Sequence, residues 1–428
     1  MFEKLIQLRK NKVYFYIELI LVAFFMWLLI DRIIFDIQWD HSYTGYGIND
    51  WLINYQGGFV RRGLIGEFLY QIYQLYPFNI KSAIIIFDVL AFGMFFILSL
   101  RAFFKQKWSI LPLLFPLVCV GSGIVNYRRD FFILFIVYGI YALYIRFYSH
   151  RKIILGLVLE VLMVLSILIY EPTFFLFVPL LGIITLCNIQ GTTSYKLFYT
   201  LGLFAAPTIT MGFVCLWKGD PNQAQIIWDS WQPLFEKYPE KDMIPEEIGC
   251  GIEFLGHGLK ETMSFHLNLL FGYKHFFAIK TIVSNILMFV SYPMIYFLVT
   301  RVPSVSIKER EISQNTHSLR LSSIFIIQLL AMSPMLTFLS CDLGRTIPYC
   351  MYTTFFLIYY FDKNRISIHL PNILHNISNR VQQLIDKNRI LSSYPLYLFV
   401  FFLTPLRFCY APKVRDNLAY KTIWKIFH

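Results

Sequence analysis

Long, continuous apolar runs dominate the pattern of this chain, and the polar positions fall mostly between them. With a window of about 19 residues the runs resolve into roughly eleven segments. These are 13–34, 83–100, 110–124, 131–147, 153–169, 174–187, 197–217, 276–299, 322–340, 347–361 and 394–408. The apolar stretch 153–187 exceeds one span and contains Pro172, which supplies no backbone N–H, so it divides there. A β-barrel needs short segments that alternate apolar and polar, whereas continuous runs of this length suit helices. The pattern therefore predicts an all-α fold: a polytopic membrane helical bundle of about 11 (10–12) transmembrane helices, with a helical extracytoplasmic loop.

Composition agrees. Hydrophobic residues make up 57% of the 428 positions and charged residues 15%, with a mean hydropathy of +0.55, against about 45–50% apolar in soluble domains. The chain reads as a single multi-span domain, 1–428. Its N-terminus has basic residues followed by a long apolar run without a small-residue cleavage site, which predicts an uncleaved first helix.

Charge sets the expected orientation. Lys4, Arg9, Lys10 and Lys12 precede the first run, and alternate loops carry Arg101, Lys105 and Lys107; Arg146, Arg151 and Lys152; Arg301, Lys308, Arg310 and Arg320; and Lys363, Arg365, Lys387 and Arg389. The positive-inside bias places these loops and the N-terminus on the cytoplasmic side. The opposite side then holds the first outer loop 36–82, the 126–130 turn, the break at Glu171, the large outer loop 218–275 and the 341–345 turn. The basic tail after 408 does not fit an odd span count: either the last run is re-entrant or one span is miscounted. The net charge is +12, and about half of the basic residues sit in the cytoplasmic loops, where they retain topology and attract anionic headgroups, so no nucleic-acid partner is expected.

Four polar signatures interrupt the apolar pattern on the outer side: NYQGGFVRRGLIGE at 54–67, YRRD at 127–130, YEP at 170–172 and CDLGR at 341–345. Charge at membrane level is costly and marks functional candidates. Arg61, Arg62, Arg128, Arg129 and Arg345 lie on the side disfavoured for topology. Their planar donor forks match phosphate or carboxylate oxygens, which points to an anionic ligand, with a diphosphate the natural candidate. Gly57 and Gly58 permit a turn or a close approach to that ligand, and a short interfacial helix is expected over 64–75. Asp40, His41 and Asp50 are proton-acceptor candidates upstream, although Asp50 equally suits the cap of a helix beginning at Trp51. Asp130 either neutralises Arg128 or Arg129 or takes part in chemistry. Glu171, at a proline break between apolar segments, is expected to be a desolvated carboxyl with a raised pKa, as a general acid or base needs, or else a helix cap. Asp342 and Arg345 form a local ion pair, or Asp342 orients Arg345 toward the ligand.

The 218–275 loop is long enough to fold as a helical lid, and its Trp228, Trp231 and Tyr238 offer a stacking platform for sugar rings. The seven cysteines include no CxxC, and the histidines lack metal-ligand spacing, so no metal and no cofactor is expected. Cys250, Cys341 and Cys350 share the outer side. No Walker A, GxGxxG or GxSxG motif is present, which argues against a nucleotide-driven pump or a typical hydrolase.

The order of these features resembles that of bacterial polysaccharide polymerases of the O-antigen and exopolysaccharide type, and of multi-span glycosyltransferases with polyprenyl-linked donors. That order is an outer loop, YRRD before a span, YEP one hairpin later, a long outer loop, then DLGR before a late span. The likeness is one of layout over most of the chain. Where some such polymerases have histidine at the break, this chain has Glu171. The resemblance implies glycosyl transfer at the outer face of the bacterial inner membrane. The donor would be an undecaprenyl-diphosphate-linked glycan and the acceptor a second lipid-linked unit, with a chain-length regulator or other polysaccharide assembly proteins as partners besides membrane lipids. A transferase using a polyprenyl-phosphate sugar, or a flippase for a lipid-linked glycan, are the alternatives.

Overall fold

The computed structural model describes residues 12–38, 43, 46–106, 108–114, 129–150, 152–239, 248–257, 260–264, 290, 295, 323–337, 343–364, 366, 368–387 and 394–403. Among these residues the chain is all-helical, without a strand. Among the described residues, three helices are long and apolar enough to cross a membrane: Ile80–Lys105, Asp130–His150 and Thr193–Leu216. Shorter apolar stretches lie at Phe15–Leu28, Ile153–Ile169 and Thr173–Asn188. The chain divides into two compact units.

The unit formed by Asp31–Phe96 and Val125–Glu261 holds most of the polar signatures. Of helix α1 (Lys12–Gln38) it contains only the last turns. After α2 (Tyr46–Trp51) and a turn, α3 (Gly63–Leu75) begins one residue before the expected interfacial helix and ends with it. The apolar α4 (Ile80–Lys105) follows, and then α5 (Asp130–His150). The break expected at Pro172 is present: α6 (Ile153–Ile169) ends in extended Tyr170, and α7 (Thr173–Asn188) starts directly after the proline. Proline suits a helix's start because the N–H it lacks would have no partner there. Helix α8 (Thr193–Leu216) is capped by Thr192, whose hydroxyl accepts the Tyr195 N–H at 3.3 Å. Helices α5 to α8 pack on one another.

The 218–275 segment contains, among its described residues, α9 (Pro221–Asp229), α10 (Gln232–Lys237) and α11 (Cys250–Glu253). Asp220 caps α9 by accepting the Gln223 N–H at 2.8 Å, with Pro221 next. This loop is not a separate lid. Ile227, Trp228, Trp231, Leu234 and Phe235 form one buried core with Tyr43, Ile48, Trp51, Leu52 and Val60 of the 36–82 segment. The Trp231 indole donates to the Leu52 carbonyl at 2.7 Å, and Asn54 donates to Ser230 at 2.8 Å. The sugar platform expected at Trp228 and Trp231 is therefore overturned: both are fully buried, and Tyr238 packs partly buried against the same core.

The second unit comprises Met1–Ile30, Ile97–Ile124 and Thr262–His428. In it, Glu18 of α1 is buried and accepts the Ser109 hydroxyl and the Ile110 N–H, both at 2.9 Å, ahead of a 3-10 turn at Leu111–Leu113. A short α12 (Ser333–Thr337) contacts α13 (Leu343–Lys363), which is buried along most of its length. Next come α14 (Asn372–Lys387), with apolar Ile373, Ile377 and Leu384 exposed, and α15 (Tyr394–Leu403). The expectation treats 363–389 as a loop, whereas most of it is this amphipathic helix. The expected runs 110–124 and 276–299 lie mostly outside the described residues.

Candidate functional site

Four segments of the first unit described meet in one ion-pair network: the end of α2, the turn before α3, the residue preceding α5 and the α6–α7 break. At its centre Arg129 is 1% exposed. Its Nε donates to Asp50 Oδ2 at 3.0 Å, and its Nη2 lies 2.8 Å from the same oxygen. The remaining bonds go to backbone carbonyls, of Asp50 at 2.7 Å, Ile169 at 2.9 Å and Arg62 at 3.1 Å. A buried guanidinium must have its donors satisfied, and these acceptors tie the three other segments to the start of α5. Arg129 is thus a strut, which corrects its expected place on a diphosphate.

Arg62 forms a bidentate pair with Glu171: Nη2 to Oε1 at 2.6 Å and Nε to Oε2 at 2.8 Å. It also approaches Asp50 at 3.6 Å and lies over the Tyr170 ring at 4.8 Å. Its backbone is left-handed (φ 65°), a conformation that costs a non-glycine residue about 1–2 kcal/mol. The bond from Arg129 to its carbonyl and the grip of Glu171 on its side chain hold it there, so the strain belongs to the site.

The expectation of a raised Glu171 pKa is also corrected. Burial alone pushes this carboxyl up, but the adjacent Arg62 guanidinium, its hydrogen bonds and Arg61 outweigh burial and hold it below the ordinary range. The Arg62 cation is in turn held well above its usual value, because Glu171 and Asp50 outweigh burial. Glu171 is ionised at neutral pH and is not a tuned proton carrier. Nor is it a helix cap, because Pro172 occupies that position for α7. Asp50 likewise lies within α2 and does not cap a helix starting at Trp51.

Arg61 approaches Glu171 at 3.9 Å and donates to the Phe254 carbonyl at 3.1 Å, with 21% of its side chain exposed. The side chains of Arg62 and Glu171 are 17% and 13% exposed, Asp50 only 7%. The network thus opens outward through Arg61, Arg62 and Glu171. Gly58 is exposed with φ 102°, so the turn needs glycine there. Gly57 is required instead by packing, since a Cβ would press on the Gln223 backbone oxygen. Asp130 opens α5 and is buried; of its expected roles, pairing with Arg129 is not the one seen, since the bonds of Arg129 go to Asp50 and to carbonyls, and pairing with Arg128 lies outside the described residues. Arg128, Asp342, Asp40, His41 and Cys341 lie outside the described residues. Arg345 falls in the first turn of α13, and Cys350 is a free, buried thiol.

Two acids escaped the sequence reading. Asp88, eight residues into α4, is 6% exposed, lies within Coulombic reach of Asp130 and has a buried Oδ1 with no hydrogen-bond partner among the described residues. Its signal was an ionisable residue inside an apolar run. Glu67, the last residue of the first signature, accepts the Tyr55 N–H at 2.9 Å and so closes the turn. Among the described residues no group of three or more His, Cys, Asp or Glu side chains is placed to hold a metal ion. No protein-family model, curated protein or solved structure matches this chain.

Proposed function

We propose that this protein is a membrane glycosyltransferase at the outer face of the bacterial inner membrane, polymerising undecaprenyl-diphosphate-linked oligosaccharide units of a surface polysaccharide. The observation that carries the reading is the partly exposed Arg61–Arg62–Glu171 edge of an otherwise buried network beside apolar helices. An outward cationic edge stabilises a leaving diphosphate in the way that preorganised donors stabilise developing charge. Arg61 takes that role, since its side chain is the most exposed of the three arginines, 21% against 17% for Arg62 and 1% for Arg129. Glu171 accepts a hydrogen bond from the acceptor hydroxyl. As the acceptor oxygen bonds to the anomeric carbon, the bond to the diphosphate breaks and the diphosphate leaves with the electron pair; Glu171 orients the hydroxyl, whose proton passes late to solvent. The reading includes the eleven-span topology with a cytoplasmic N-terminus. The flippase alternative draws on Asp88, a carboxyl inside a candidate span.

The test is deletion of the gene, separation of surface glycan and lipid-linked intermediates by size and mass, and complementation with wild type, Arg61→Ala and Glu171→Gln. Single repeat units in place of a ladder, with Arg61→Ala failing to restore it, are expected. Incomplete repeat units mean a polyprenyl-phosphate-sugar transferase, and complete units held in the cytoplasmic leaflet mean a flippase. An unchanged glycan sinks all three.

A further inference from the structure

On the outer side of the same turn, Tyr55 and Phe59 stack with ring centroids 5.5 Å apart and planes 19° apart. Phe59 is 41% exposed. Tyr55 is the fixed base of this pair. Its ring lies so close to Gly63 that a Cβ there would overlap it, and its hydroxyl is buried. Burial and the neighbouring Glu67 push that hydroxyl's pKa up to about 12, so it stays neutral.

A polar fringe adjoins the pair. The Gln56 side chain donates to both oxygens of Glu67 at 3.2 Å, and the Gln71 side chain donates to Glu67 at 2.6 Å. Gln56 and Gln71 are exposed. Burial pushes the Glu67 carboxyl up, but the bonds from Gln71, the Tyr55 N–H and Gln56 outweigh it and keep the carboxyl ionised as an acceptor. Amides and a carboxylate together offer donors and acceptors of the kind that vicinal hydroxyls match. The face of an aromatic ring is electronegative and attracts the C–H face of a pyranose.

We propose that Tyr55 and Phe59, with Gln56, Glu67 and Gln71, form a carbohydrate subsite in which a sugar ring lies on Phe59 and its hydroxyls meet the polar fringe. The proposal deepens the glycan-transfer reading and rests on it. Phe59 is two residues before Arg61 in the same turn. The platform that the sequence suggested at Trp228 and Trp231 is thereby moved to an exposed stack.

The experiment is saturation-transfer NMR on the purified full-length protein in detergent, titrated with delipidated oligosaccharide released from the source organism's surface glycan. Wild type and Phe59→Trp are expected to give transfer to sugar C–H protons, and Phe59→Ala to weaken the apparent Kd about fivefold or more, the scale of one lost aromatic contact. Gln71→Ala, an exposed change outside the stack, is expected to weaken binding too, and serves if Phe59→Ala does not fold. Unchanged binding in both variants overturns the subsite and marks Phe59 as an interfacial aromatic. If Arg61→Ala then still abolishes product, the subsite alone has failed. Absence of transfer together with an unchanged glycan in the deletion strain removes both proposals.

Discussion

Arg129 serves one carboxylate and three carbonyls from a position sealed from solvent. Removing it takes the closest cation from buried Asp50, leaving the longer Arg62 contact at 3.6 Å, and takes a donor from each of three carbonyls. Breaking a buried pair in this way costs about 3–5 kcal/mol. Arg129→Ala is therefore expected to lower the thermal midpoint in detergent sharply. Arg129→Lys should fall nearly as far, because an ammonium cannot span acceptors set out for a fork. Arg61→Ala, with its partly exposed side chain, should stay close to wild type in the same melt. Glu171 adds a pH signature. A carboxyl whose folded pKa is depressed stabilises the fold above its unfolded value of about 4.3, and that contribution is lost as pH falls through the lower folded value. The stability difference between wild type and Glu171→Gln should thus be full at pH 6–8 and shrink below about pH 4.3. A difference independent of pH would mean that the ion pair does not form.

Among elements, the approach of α3 to the segment after α2 depends on Gly66, where a Cβ would overlap the Ile53 carbonyl oxygen. Backbone cannot swing aside as a side chain does, so Gly66→Ala is expected to destabilise by at least about 1–3 kcal/mol, the range for overpacking. The readout is the thermal midpoint beside Gly93→Ala, a control in α4 where a Cβ meets nothing within 4 Å. The 36–82 and 218–275 segments behave as one element by the same logic. Trp228→Ala removes a fully buried indole from their shared core, at a cost of about 3–5 kcal/mol. It should raise hydrogen exchange in 48–60 as well as in 221–235. Protection lost in the second segment alone would show two independent loops.

For the whole molecule, the proposed topology has a direct check. In a background without native cysteines, Gln225→Cys on exposed α9 is expected to react with a membrane-impermeant maleimide in intact cells. Asn376→Cys on exposed α14 should react only after permeabilisation. The reverse pattern inverts the chain, and labelling of both from outside removes the span count.

The sequence alone determined the all-helical class and most of the long apolar helices described, because continuous apolar runs without alternation suit helices. It also placed the break at Pro172, where the missing N–H acts locally, and it located the charged signatures. It could not assign partners to those charges. Arg129, Arg62 and Glu171 look alike as exposed ligands and as an internal network. The choice depends on which segments meet, and Asp50 contacts Arg129 across 79 positions of chain. Burial of Trp228 and Trp231 was hidden for the same reason, since an aromatic residue at a membrane face has one composition whether it looks outward or into a core. Tertiary structure decided that the arginine sealed among carbonyls is a strut, and that the exposed edge consists of Arg61, Arg62 and Glu171.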